Sequence, residues 1–222
     1  MILYYMPGAC SLAVHIALRE AGLPFELAEV EYESRRLPSG ADFRRISSTA
    51  CVPALALDDG TLVNEVSVIL QYIDALAPDA RLLPAPGGLS RYRALEWLNF
   101  IATEVHKTFS PLFRPTTPPA FLKPSQDHLI GRLAIVEQRL ATTAFLTGDR
   151  YCAADAYLFT CCRWLDDLAL TITAWPGLAR HFKAVSQRPA VREALAAEGL
   201  GRAVRSRSLD ASQCRGSATR RA

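Results

Sequence analysis

Apolar and polar residues follow two different rhythms along the chain, and the change falls near residue 80. Before it, strand-length apolar stretches at 2–5, 26–31 and 61–63 are interleaved with helix-period runs at 11–21, closed by Gly22-Leu23-Pro24, and from Glu65 to Leu76. Between them lie a loop from Ser34 to Gly40, a weak helical stretch at 41–46 and the apolar segment Val52-Pro53-Ala54-Leu55-Ala56-Leu57. Asp58-Asp59-Gly60 separates two apolar strands, a hairpin signal, and the strand-helix-strand order before it predicts a parallel crossover. The pattern predicts an α/β unit of four short strands. Pro53 has no N–H for a ladder, so it belongs just before a strand or at a sheet edge.

Past a stretch punctuated by Pro78, Pro84, Pro86, Gly87 and Gly88, the period becomes helical throughout. A run from Ser90 to about Leu112 spaces Leu95, Leu98, Ala102 and Val105 by three and four, and a run from Ser125 to Leu140 does the same with Leu129, Leu133, Val136 and Leu140. The run from Ala153 to Leu170 is apolar around most of its circumference, as a helix enclosed by others would be. Shorter helices are predicted near 178–186 and 190–198. The expected division is an α/β domain over 1–80, a linker over 81–88, an all-α domain over 89–203, and a basic tail over 204–222 with too little periodicity to fold.

Half of the 222 residues are hydrophobic, enough for a sizeable core. From Arg202 onward six arginines face one acid, Asp210, so of the formal +3 this end holds +5 and residues 1–201 about −2. A mildly acidic body offers no nucleic-acid surface. No apolar run reaches the length of a membrane span, and the start lacks a basic-then-apolar leader, so cytoplasmic residence is expected. Cysteines at 10, 51, 152, 161, 162 and 214 show no zinc spacing and need not pair, and no metal site is expected. Cys161 and Cys162 read as small core residues.

Cys10 is different. It stands where the strand 2–5 and the turn Pro7-Gly8-Ala9 meet the start of a helix, where unpaired N–H groups and the positive end of the helix dipole favour a thiolate. It is therefore a candidate nucleophile, expected to be the most reactive of the six thiols. Ala13 occupies the place where a dithiol motif would put its second cysteine. The expected chemistry is a mixed disulfide with an external small thiol, or a thiol-stabilising contact. Glu65, at a helix start, is a carboxylate placed to meet a ligand ammonium, with the N–H of Val66 beside it for an anion. Asn99, within an apolar stripe, calls for a buried partner.

Tyr4-Tyr5 through Pro7-Gly8-Ala9-Cys10-Ser11-Leu12-Ala13, Val52-Pro53-Ala54-Leu55, Asp59-Gly60-Thr61-Leu62 with Glu65, Glu96-Trp97-Leu98-Asn99, His106-Lys107, Pro111-Leu112-Phe113-Arg114-Pro115 and Ala154-Asp155-Ala156-Tyr157 occur in one order. Together, over residues 1 to about 200, they resemble the cytosolic glutathione transferases, and specifically the bacterial beta class. The resemblance implies a thioredoxin-like N-terminal domain followed by an all-helical one. It also implies a catalytic set of Cys10, Ser11 and His106, with the histidine approaching the cysteine sulfur. Glutathione would be the co-substrate, bound by Ala9, Cys10, Arg35, Val52, a cis Pro53, Glu65, Val66, Asn99, Glu104, His106 and Lys107, with some polar groups reaching a neighbouring subunit's ligand in a homodimer.

The chain departs from that pattern in places. Before Pro53 it reads Ser47-Ser48-Thr49-Ala50-Cys51, where the class usually has Asn-Pro, a basic residue and Gly; Ala50 in a left-handed conformation would cost roughly 1 kcal/mol. Cys51 puts a second thiol beside Val52, though a Cys10–Cys51 disulfide is not the expected state. Val66 replaces a Ser or Gly. Cys152 replaces the Ser or Thr of a capping box completed by Asp155, a weaker cap by about 0.5–2 kcal/mol. The leading expectation is conjugation of glutathione to an apolar electrophile, or thiol–disulfide exchange through Cys10. The alternative is a catalytically weak member kept as a ligand-binding or interaction module.

Overall fold

The computed structural model describes residues 1–201. The expectation of a disordered basic tail, and Cys214, lie outside the described residues. Four strands, β1 (Ile2–Tyr5), β2 (Glu26–Glu29), β3 (Ala54–Ala56) and β4 (Leu62–Asn64), form one sheet in the order β2-β1-β3-β4. β1 runs parallel to β2 with Leu3 opposite Leu27, and antiparallel to β3 with Leu3 opposite Leu55. β3 and β4 form the hairpin. This is the thioredoxin-like arrangement, with α1 (Ser11–Glu20) crossing over between β1 and β2 and α2 (Val66–Leu76) following β4.

The helical part comprises α3 (Leu89–Phe100), α4 (Lys107–Phe113), α5 (Pro119–Leu140), α6 (Ala153–Cys162), α7 (Pro176–Ser186) and α8 (Pro189–Ala197). Four details differ from the periodicity. The run expected to be one helix from 90 to about 112 is broken by a π-helical segment, Ile101–His106, which shifts the backbone register between α3 and α4. The enclosed helix ends at Cys162 and tightens into a 3₁₀ stretch, Arg163–Leu168. The weak helix at 41–46 is a single 3₁₀ turn, Phe43–Arg45, opened by the Asp42 carboxylate accepting from the Arg44 N–H. Helix α5 begins six residues before the expected 125 because Pro119 stands in its first turn, where a missing N–H costs nothing.

Packing joins the two parts closely. All residues of α1 from Ser11 to Leu18 are buried. One face meets the sheet and α2 through Ala13, Val14, Ala17 and Leu18, and the other meets α6 and α8 through Leu12 and Ile16 against Ala156, Phe159 and Val191. Helix α6 is buried along its whole length, which explains its apolar circumference. The connecting segment is tied at both ends. Asp74 accepts from the Leu83 N–H at 2.8 Å and pairs with Arg91, while the Leu82 carbonyl accepts from the Ala153 N–H at 2.7 Å. The helix that carries Cys10 is thus held from two sides by rigid layers.

Candidate functional site

The turn between β1 and α1 is closed by Ser11, whose hydroxyl lies 3.2 Å from both the N–H and the carbonyl of Met6. Ser11 is fully buried, so its side chain shapes the turn, and its backbone N–H is the group left for the site. Ala9 donates its N–H to the same carbonyl. Gly8 sits at φ +75, a conformation natural only to glycine, and the helical part grips both ends of this residue. Its N–H donates to Glu198 Oε2 at 2.9 Å, and its carbonyl accepts from Trp164 Nε1 at 2.8 Å. The other oxygen of Glu198 meets His15 Nδ1 at 2.8 Å, and His15 Nε2 accepts from Arg19, which assigns the Nδ1–H tautomer because a carboxylate only accepts and a guanidinium only donates.

Cys10 is the N-cap of α1, and its thiol donates to the Val52 carbonyl at 3.3 Å. The residue keeps some surface, but its sulfur lies among protein atoms. Burial pushes the thiol up to about 12, the Cys10 and Ser11 amides oppose this, and the nearby Cys51 and Glu65 add to it. The proton is held by about 4 kcal/mol more than on an ordinary thiol. The expectation of a thiolate from helix position alone is therefore corrected: in the ligand-free protein desolvation outweighs the helix N-terminus. The Val52–Pro53 peptide is cis. Among the described residues no hydrogen bond uses the Val52 N–H, which leaves a short extended edge opposite Cys10.

Among the described residues five non-glycine residues have positive φ, and three of them border this region: Arg35 at +58, Ala50 at +50 and Glu65 at +70. Ala50 thus adopts the left-handed conformation that carries the strain anticipated for it. Glu65 precedes α2 with its side chain exposed; its carbonyl accepts from the Val68 and Ile69 N–H groups, no side chain caps the helix, and the N–H groups of Val66 and Ser67 remain unspent. Backbone strain of this kind clusters at binding sites. Arg35 lies over the Tyr32 ring and reaches the Met6 sulfur at 3.5 Å.

Across from Cys10, His106 ends the π-helical segment. Its Nδ1 shares a hydrogen bond with the Tyr157 hydroxyl at 2.7 Å, and its ring lies 5.1 Å from that of Trp164. Burial, and then the charge of Lys107, lower its pKa to about 4, so it is neutral at physiological pH. Its hydrogen bond goes to Tyr157 and none joins it to Cys10. Tyr157 is held well above the ordinary tyrosine range chiefly by burial, with nearby Cys161 and Cys10 adding to it. Phe109 packs edge-on to Trp164 at 5.2 Å with Phe113 beside it, giving an aromatic wall. The roles of Tyr157, Trp164 and Glu198 escape sequence reasoning. The available signal was that a tyrosine or tryptophan in an apolar helix needs a polar partner.

The remaining expected contacts scatter within this chain. Asn99 is exposed, which corrects the buried partner expected for it: on α3 it lies off the face that buries Ala94 and Leu98. Glu104 faces Arg132 at 3.4 Å, and Lys107 is exposed. Asp155 accepts from the Cys152 N–H at 2.8 Å, the Leu146 N–H at 2.9 Å and His181 at 2.9 Å, so α6 is well capped in spite of Cys152. Cys10, Cys51, Cys152, Cys161 and Cys162 are all free thiols. Among the described residues no group of three or more His, Cys, Asp or Glu gathers to hold a metal.

Residues 8–76 match the glutathione S-transferase N-terminal domain and residues 100–189 the glutathione S-transferase C-terminal domain. The chain belongs to the glutathione S-transferase family. It is 44% identical to glutathione S-transferase GstA of Escherichia coli O157:H7, over 90% of this chain and 100% of that protein. A sphingomonad glutathione S-transferase complexed with glutathione superposes with a TM-score of 0.87 at 40% identity, covering 90% of this chain and all of that one. A beta-class transferase from Sphingomonas chungbukensis gives 0.87 at 38% identity with the same coverage. The likeness to the beta class read from the sequence motifs is thus shared by whole-chain structure.

Proposed function

We propose that this glutathione transferase binds glutathione along the surface from Arg35 through Val52 to Glu65 and joins the glutathione sulfur to an apolar electrophile held against Phe113 and Trp164, which Phe109 supports from beneath. What carries the reading is the convergence at Cys10: a neutral thiol at the start of α1, bonded to Val52 beside cis Pro53, with the first amides of α2 unspent nearby. In this arrangement the Val52 backbone takes the cysteinyl part of the tripeptide, Glu65 pairs with its ammonium, and the Val66 N–H takes the adjoining carboxylate. The sulfur of glutathione then lies beside Cys10. A protonated Cys10 can turn its S–H from Val52 to that sulfur and, with the Cys10 and Ser11 amides, favour its thiolate. That thiolate attacks the electrophilic carbon while the leaving group departs with the bonding pair.

Exchange through Cys10 as nucleophile is the second reading; it asks Cys10 to give up its proton as it attacks. A fold kept for binding alone is not favoured, because curated relatives at this similarity are transferases. We also propose a homodimer, supported by exposed apolar side chains on adjacent helices, Val68 and Leu76 on α2 with Leu89 and Tyr92 on α3. In that assembly Asn99, Glu104 and Lys107 serve the partner's ligand. Cytoplasmic residence is supported by the free thiols; no helix among the described residues is long and apolar enough to cross a membrane.

Retention on a glutathione matrix, followed by turnover with a chlorinated nitroaromatic and with a glutathione mixed disulfide, tests the proposal. Cys10→Ala should lose at most on the order of a hundredfold in kcat/KM for conjugation, while exchange falls to background. Glu65→Ala should weaken glutathione binding in both assays. Retention without turnover of either substrate would establish the binding-module alternative instead.

A further inference from the structure

We propose that Cys10 and Cys51 form a reversible dithiol–disulfide pair, through which oxidised glutathione closes the site. The inference rests on the reading of Cys10 as the group beside the glutathione sulfur. It starts from the Cys10 thiol on the Val52 carbonyl at 3.3 Å, because Cys51 is the residue bonded to Val52. Covalent geometry then places the Cys51 Cα no more than about 10 Å from the Cys10 sulfur. The two side chains are also close enough for charge on Cys51 to act on Cys10.

A disulfide requires Cα atoms roughly 4.4–6.8 Å apart, so closure draws on the freedom of the 47–51 loop beside α1. That loop is suited to it. Ser48, Thr49 and Cys51 are exposed and no strand or helix includes them. Its internal ties are few: the Ala50 N–H to the Ser47 carbonyl at 3.0 Å, and contacts of the Thr49 hydroxyl with Ser47 and the Cys51 N–H. Ala50, at φ +50, is already in a conformation that an L-residue adopts at a cost. The competing thiols are poorly placed. Cys161 lies near Cys10 but is fully buried on α6, a helix enclosed along its length, and Cys152 and Cys162 are buried too.

Exposure assigns the first step to Cys51. Its thiolate attacks one sulfur of glutathione disulfide, forming a Cys51–glutathione disulfide and expelling glutathione thiolate, which takes the proton Cys51 gave up. Cys10 then attacks the Cys51 sulfur. The Cys10–Cys51 bond forms, the second glutathione leaves as thiolate, and the Cys10 proton passes to it. The protein has lost two electrons and one glutathione disulfide has become two glutathiones. Two glutathione thiols reverse the sequence. In the closed state the S–H that faces the glutathione sulfur is gone, so the balance of reduced to oxidised glutathione sets the conjugation rate.

The test treats the reduced full chain with glutathione disulfide, blocks free thiols by alkylation and maps the peptides, following conjugation in parallel. A Cys10–Cys51 linked peptide should appear, with conjugation reduced on the order of tenfold and restored by dithiothreitol. Cys51→Ser should form no such link and should keep most of its own untreated rate. Cys51 carrying glutathione while Cys10 stays alkylatable, a link from Cys10 to Cys161 or Cys214, or equal inactivation of both proteins would overturn the pair. If the reduced enzyme fails to conjugate at all, the proposed function falls, and the peptide map still decides the pair on its own.

Discussion

Two helices of this protein begin with a cysteine, and they use the position in opposite ways. At α6 the N-terminus is closed from within. Asp155, three residues past Cys152, accepts from the Cys152 N–H and also holds the Leu146 N–H and His181, all in the buried core. At α1 the corresponding residue is Ala13, no acid stands in the first turn, and Cys10 has only the Val52 carbonyl to meet. Burial raises both thiols above their ordinary range, at Cys152 with the Asp155 charge adding to it, at Cys10 with its own and the Ser11 amide working against it. A helix end is a site for an external anion only where the chain declines to supply its own. The cysteine is common to both; the residue three positions on separates structure from function.

The largest effect expected from this contrast is on stability. Asp155→Ala leaves two backbone N–H groups and a histidine N–H without acceptors in the core, each costing about 1–3 kcal/mol, so urea denaturation should show a loss of about 3–5 kcal/mol. Cys10→Ala should stay within about 1.5 kcal/mol of the parent, the worth of one hydrogen bond. Equal losses at the two helix ends would break the comparison.

A smaller effect belongs to His106, on the open side. Its pKa is depressed to about 4 in the folded chain, against an ordinary value of 6.5. Below 6.5 the unfolded chain binds the proton that the folded one refuses, so stability is fully present above 6.5 and is lost as pH falls toward 4. The contribution is at most about 3 kcal/mol. His106→Gln should flatten the pH dependence of the denaturation midpoint across that window, and an unchanged slope would show that the ring is not buried neutral.

The smallest effect concerns labelling. In the glutathione-free enzyme at neutral pH, exposed Cys51 should be alkylated before Cys10, and the Cys10 rate should keep climbing as pH rises toward about 12. This reverses the expectation from helix position that Cys10 reacts first. Mass spectrometry of timed samples decides it, and Cys10 labelling ahead of Cys51 would restore a thiolate at α1.

Much of this fold was written in local periodicity. Strand-length runs, the Asp-Gly turn and the three-and-four spacing of Leu129, Leu133, Val136 and Leu140 depend on which face of a single element is apolar, a property that neighbouring residues settle among themselves. Cys10, Pro53 and Glu65 were likewise legible, because their chemistry follows from standing at an element boundary. The Tyr157 hydroxyl on His106 and the grip of Glu198 and Trp164 on Gly8 join residues 51 to 190 positions apart. No local pattern carries such pairings. The same holds for the protonation of Cys10: its helix position argued for a thiolate, and only the enclosing layers, by removing water from the sulfur, decided for the thiol.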